Sequence, residues 1–393
     1  MDRFVRSLAG SVSAPEVAAD YGASPLPASL DMEKLYYLAF SQLFEFIGPL
    51  RFRRLLDRFG SAEAAWSNLR LQELLALGIK EERAAKCLNK YKILDLKRLN
   101  RLLSSQDIKI ICNFEEGFPA NLRPLPDSPF LLYVRGQLVA TDTKAVAIVG
   151  TRRISSYGQR VIETIVPGLV NAGVTIVSGL AFGVDAKVAE ETLAAGGRAL
   201  AVLASGVDQI TPRNNELLGQ RIIESGGAIV SELPPGVTPQ NYFFPIRNRI
   251  ISGLALGVVV VEAAEKSGSL HTVNFATDQG RQVMAVPGSV FSEVSRGTNR
   301  LIRDGAAMVT TAEYVLEELG LRSVGAYRNT PLPPTGELSA IERQIFDLLS
   351  RDQLPIDTII RTLKLPPSEV STNLTLLQLK GLIKDWGGGV FGV

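Results

Sequence analysis

Between residues 104 and 320, short apolar runs alternate with segments whose apolar residues recur at helical spacing. The runs end again and again in Gly, Ser, Thr, Arg or Asn. They predict strands at 109–112, 131–134, 145–149, 174–178, 199–203, 228–231, 258–261, 283–286 and 306–309. Strands that are apolar throughout and separated by helices need crossover connections. The pattern therefore predicts an α/β domain, an extended Rossmann-like, doubly wound and mostly parallel sheet. In such a sheet the carboxyl ends of the strands share one side, so the turns converge on a crevice lined by backbone N–H groups and helix N-termini. A crevice of that kind suits phosphate.

The flanks follow other patterns. From 32 to 103 the spacing is helical (Leu35, Leu38 and Ala39; Phe52, Leu55, Leu56 and Phe59; Leu74, Leu75 and Leu77), broken at Gly48-Pro49, Gly60-Ser61 and Gly78. This predicts an all-helical domain of SAM or helix-hairpin-helix type. From 338 to 393, helices over 341–349, 356–363 and 368–380 precede a Gly387-Gly388-Gly389 turn between two short strands, the outline of a winged helix. Residues 321–337, with Pro331, Pro333 and Pro334, read as an extended linker. Residues 1–31, rich in Ala, Ser and Pro and lacking a signal-type apolar core, read as a flexible tail.

Composition narrows the classes. An apolar content of 46 % over 393 residues supports a large core, and the formal net charge of +2 gives no overall cationic field. Any attraction to nucleic acid must come from local clusters. One lies in the helical domain, where 14 basic residues face 8 acidic ones and Arg51, Arg53, Arg54 and Arg58 share a helix. These could touch a nucleic-acid backbone or simply form a solvated docking face. The winged-helix region carries 6 basic and 6 acidic residues, which favours protein contact over duplex reading. Cys87, Cys112 and the single His271 supply neither a disulfide framework nor a zinc set, and they suit a reducing, cytoplasmic setting. The apolar stretch Ile250–Val261 is too short to span a bilayer.

Among local motifs, Gly387, Gly389 and Gly392 match G-x-G-x-x-G only formally, because no helix follows them. No P-loop and no nucleophile elbow occurs. Neither a cofactor nor catalysis is expected, and His271 reads as a space-filling helix residue. Gly150-Thr151-Arg152 is more informative. Glycine permits a tight turn, Thr151 offers donors, Arg152 offers a forked cation, and the helix that follows brings its positive end near. In the segment Phe243 to Arg249, Phe243 and Phe244 adjoin Arg247, Asn248 and Arg249, combining stacking faces with cations as single-stranded nucleic acid requires. Ser178-Gly179, Ser267-Gly268-Ser269 and Gly288 add further turns able to hold anions.

The ordered set Gly150-Thr151-Arg152 with Ser156-x-Gly158, Ser178-Gly179-Leu180-Ala181-x-Gly183-x-Asp185, Phe244-Pro245-x-Arg247-Asn248-Arg249, Glu262-Ala263 with Ser267-Gly268-Ser269, Gln279-Gly280-Arg281 with Val286-Pro287-Gly288, and Gly297-x-Asn299 through Asp304-Gly305-Ala306 resembles the DprA (Smf) DNA-processing proteins. The resemblance implies a cytoplasmic protein, not an enzyme, that binds single-stranded DNA during natural transformation, protects it, helps load the recombinase RecA and dimerises through its Rossmann-like domain. It further implies that Arg152 holds phosphate and that the Phe243 to Arg249 segment supplies stacking and charge. The chain departs from the family pattern at Phe182 and Ala189, where Arg and His are usual.

Two other readings compete. Rossmann-like nucleotide phosphoribohydrolases use a P-G-G-x-G-T-x-x-E loop, but here Pro287-Gly288 continues as Ser289-Val290-Phe291. A RecA adaptor without its own DNA site would show no salt-sensitive affinity for oligonucleotides.

Overall fold

The computed structural model describes residues 32–321, 338–380 and 382–393. The tail at 1–31 and positions 322–337 of the linker lie outside the described residues. The chain divides into two compact units, the first through Arg322 and the second from Ser323 onward.

All nine expected strands form: β1 (Lys109–Cys112), β2 (Leu131–Gly136), β3 (Ala145–Val149), β4 (Thr175–Ser178), β5 (Ala199–Val202), β6 (Ala228–Ser231), β7 (Gly257–Val260), β8 (Gln282–Ala285) and β9 (Ala307–Met308). They build one sheet in the order β1-β2-β6-β5-β4-β3-β7-β8-β9. From β6 across to β9 every pairing is parallel, while β2 runs antiparallel to both β1 and β6. Chain order proceeds outward from β3 in one direction and then, with β7, in the other. The topological switch therefore falls between β3 and β7, which is where an open α/β sheet leaves a crevice at its carboxyl edge.

Burial alternates along the strands. Ala145, Ala147 and Val149 of β3 pack with Val258 and Val260 of β7 under the helix α10 (Phe243–Leu254) and the helix α11 (Leu270–Asp278). Val146, Ile148, Val259 and Val261 point to the other face, where α7 (Ser156–Asn171), α8 (Val184–Ala194) and α13 (Ala312–Glu318) cover them. Both faces are covered, so both registers of each strand are apolar, and this is why the strands read as continuous runs.

The helical region comprises α1 (Met32–Ser41), α2 (Pro49–Phe59), α3 (Ala62–Ser67), α4 (Leu71–Ala76), α5 (Glu81–Lys92) and α6 (Leu96–Ser105). Its core is continuous with the sheet: Leu38, Phe40, Phe52 and Trp66 share a cluster with Leu131, Tyr133, Ala201 and Ile229. Inside that cluster the buried Ser41 and Tyr133 hydroxyls meet at 2.6 Å. Three of the four α2 arginines are engaged within the fold. Arg51 donates to the carbonyls of Phe46 and Leu77, Arg53 to that of Leu125, and Arg58 pairs with Glu73 at 2.9 Å. Arg53, Arg54 and Arg58 nonetheless remain exposed on the helix.

The second unit holds α14 (Ala340–Leu349), α15 (Ile356–Leu363) and α16 (Pro367–Leu379) with a three-stranded antiparallel sheet of β10 (Leu354–Pro355), β12 (Val390–Gly392) and β11 (Lys384–Asp385). Ser339 and Glu342 close a capping box on α14, and the Glu342 carboxylate also holds Lys380 at 2.8 Å. The exposed residues of α16 include Ser371, Thr372, Thr375 and Leu376, all uncharged. Among the described residues no helix is long and apolar enough to cross a membrane.

Candidate nucleic-acid interface

The turn after β3 is held from both sides. The Thr151 N–H donates to the Glu262 carbonyl at 2.8 Å, and the Thr151 carbonyl accepts from Val184 N–H at 3.1 Å. A Cβ at Gly150 would stand 2.7 Å from Val184 Cγ2, so only glycine lets the chain pass here. The turn leaves the Arg152 side chain exposed, and its guanidinium carbon lies 5.0 Å from the centre of the Phe244 ring. A cation over an aromatic face at this distance contributes about 0.5–1 kcal/mol where water still reaches the pair.

Residue Glu262, at the end of β7, is nearly fully buried. Its carboxylate accepts the Ser155 N–H at 2.9 Å and the Ser155 hydroxyl, while Ser155 Oγ caps Gly158 N–H. A Cβ at Gly158 would meet Glu262 Oε2 at 2.6 Å. The positive end of α7 is thus already occupied by a carboxylate, and the expectation that it faces phosphate is corrected.

The loop after β4 is organised by Asp185. This buried carboxylate accepts the N–H groups of Gly179 and Ala181, and burial pushes its pKa up while Arg247 and the two N–H donors oppose that shift. Arg247, only 7 % exposed, donates to the carbonyls of Gly179 and Val202 and to Asn248 Oδ1. Burial lowers its pKa to about 10, with Asp185 acting the opposite way, so it remains a cation at neutral pH. A side chain at Gly179 would run into that guanidinium.

These elements meet at the switch point. Gly150, Arg152, Phe244, Arg247, Asn248, Ser267, Gly268 and Ser269, all expected from the sequence, line one cavity of about 340 Å³. The Ser267 and Ser269 hydroxyls bond each other at 2.8 Å beside the start of α11. Asp185 and His271 line the same cavity. The reading of His271 as a space-filler is corrected: it is exposed and stands one residue into α11, a position that its place just after the Ser-Gly-Ser turn could have signalled.

Several expected residues serve elsewhere. Phe243 is 5 % exposed, its ring packed against Tyr242 and Phe44, so no base can reach it. Arg249 is buried against Glu232 and the Asp127 carbonyl, where its charge offsets a buried carboxylate. Gly179 works through its backbone, Thr151 through its backbone and through its hydroxyl, which accepts the Arg153 N–H at 3.1 Å, and Ser178 Oγ donates to the Ile148 carbonyl. Gly288 is tied by two bonds to Asn299 in the loop after β8.

Residues 109–320 match the family model of DNA recombination-mediator protein A, and residues 329–389 match that of the DprA winged helix domain. The chain belongs to the DprA family. It is 40 % identical to Protein Smf of Escherichia coli over 278 residues, which covers 70 % of this chain and 74 % of that protein. It is 31 % identical to Protein Smf of Synechocystis over 395 residues, 91 % of this chain and 98 % of the relative. The X-ray structure of DNA processing protein A from Streptococcus pneumoniae superimposes with a TM-score of 0.61 at 32 % identity, covering 72 % of this chain and 96 % of that one. In this DprA member Phe182 is 46 % exposed, and Gly183 after it is packed on the Arg152 backbone. Ala189 is buried in the core.

Proposed function

We propose that this protein binds single-stranded DNA in the switch-point pocket, protects the strand during natural transformation and helps load RecA onto it, without catalysing a reaction. The observation that carries the reading is the Arg152 guanidinium over the Phe244 ring, beside the Ser267–Ser269 turn and the buried Arg247. The lining thus combines a cation for phosphate, seated over an aromatic ring, with a turn rich in hydroxyl and N–H groups. Asp185 is the acidic residue of the lining, and its carboxylate is engaged by two N–H groups, so the pocket suits binding better than acid–base chemistry. Family membership supports the recombinase partner, a cytoplasmic setting and a homodimer through the Rossmann-like unit.

Oligonucleotide titrations over a salt series test the reading. Arg152→Ala should weaken binding to single strands of every sequence and reduce the slope of log affinity on log salt by about 0.7, the loss of one phosphate contact. Unchanged affinity and slope would remove Arg152 from the interface. Wild-type protein with no salt-sensitive affinity at all would favour the adaptor reading.

A further inference from the structure

The loop after β8 carries a feature the pocket does not account for. Phe291 is 93 % exposed and Val290 beside it 74 %, which makes a bare apolar tip on a chain whose other large side chains are mostly covered. Two anchors hold the base of this loop. The Tyr157 hydroxyl donates to the Pro287 carbonyl at 2.6 Å, and Gly288 and Asn299 exchange two hydrogen bonds. The helix that follows, α12 (Glu293–Arg303), is locked to the pocket's own loop: Ala263 N–H donates to the Val294 carbonyl at 2.7 Å and Gly297 N–H to the Ala263 carbonyl at 2.8 Å. Residues 263–264 lead directly into Ser267–Ser269. Because β8 adjoins β7, the tip stands on the carboxyl edge next to the strand whose loop lines the pocket.

Charge follows the same direction. Arg296, Arg300 and Arg303 are exposed on α12 at spacings of four and three residues, hence on one face. Arg300 and Arg303 are both taken by Asp304. Arg296, one turn from the tip, has no ion-pair partner among the described residues, and Glu293 is the acidic residue of that first turn. An exposed ring is thus followed five residues later by an exposed guanidinium without an ion-pair partner among the described residues.

We propose that Phe291 and Arg296 form a second contact for the same DNA strand, a base stacking on Phe291 and a phosphate on Arg296 after the strand leaves the pocket over the Ser267–Ser269 side. This rests on the single-stranded DNA reading of the pocket. The occupant is a continuing strand because the helix that follows the tip is bonded to the 263–269 loop of the pocket and carries an exposed guanidinium five residues after the open ring.

The test is fluorescence anisotropy with oligothymidylates of graded length, about four to about sixteen nucleotides. Phe291→Ala should leave the shortest oligomer's affinity unchanged and weaken the longest about tenfold, as expected for one lost stacking contact. Phe291→Trp should restore it, and Arg296→Ala should lower the salt slope by about 0.7 for the long oligomer alone. If Phe291→Ala binds like wild type at every length while Arg152→Ala loses binding, the second contact is refuted and the pocket reading stands. If wild type binds no oligomer, the pocket reading fails first. If Phe291→Ala changes the sedimentation of the free protein but not its affinity for any oligomer, the tip is a surface for a second copy of this chain and the proposal is overturned.

Discussion

Arg152 and Arg247 sit in the same cavity yet do different work. Arg152 is exposed, lies over the Phe244 ring and has no ion-pair partner among the described residues, so it can exchange water for phosphate at small cost. Arg247 is fully engaged by carbonyls and by the field of Asp185, and acts as a fixed positive charge in the wall. Its position depends on the missing side chain at Gly179. Gly179→Ala should therefore displace the guanidinium and destabilise the fold by about 1–3 kcal/mol, the usual cost of overpacking. Thermal unfolding measures this, and an unshifted melting temperature would show that Arg247 can move freely. Phe182→Arg should raise affinity for single strands and steepen the salt slope by about 0.7, since the position is exposed and its neighbour Gly183 packs on the Arg152 backbone.

At the scale of elements, the site is made by three loops that leave neighbouring strand ends and one helix that approaches from the side. Glu262 joins two of these: its carbonyl holds Thr151, and its carboxylate holds the first residues before α7. Replacing it with Ala leaves the Ser155 N–H and hydroxyl without their acceptor in a half-buried place. Glu262→Ala should cost about 1–3 kcal/mol in denaturant unfolding. It should also weaken DNA binding, because Arg152 lies between the two anchored points. Normal affinity in the folded variant would show that the turn holds its shape without the carboxylate. The strands that carry these loops were legible in the chain as apolar runs bounded by turn residues. Phe243, Phe244, Arg247 and Arg249 were legible only as candidates. One helical turn sends Phe244 and Arg247 to the cavity, while Phe243 goes to a neighbouring cluster and Arg249 to Glu232. Local sequence does not show which side of a helix meets which neighbour.

For the whole molecule, the division into two compact units and the balanced charge of the second give a simple expectation. Deleting residues 330–393 should leave affinity for single-stranded DNA largely intact in the same titration. A loss as large as that of Arg152→Ala would place a DNA contact in the winged helix. The helical region, by contrast, shares a core with the sheet, so removing it would strip the cover from Leu131, Tyr133 and Ile229.

Periodicity alone determined the elements, the parallel character of most of the sheet and the edge on which a binding site had to form. These follow from local rules: an apolar run buried on both faces needs crossover helices, and crossovers align the strand ends. Only the tertiary structure decided which cations stay free. The choice between Arg152 in solvent and Arg249 in a buried pair depends on carboxylates and carbonyls far away in the chain. It likewise put His271 into the cavity and a carboxylate, rather than an open anion site, at the start of α7. Electrostatic partners are set by distance in space, and that distance does not exist until the chain has folded.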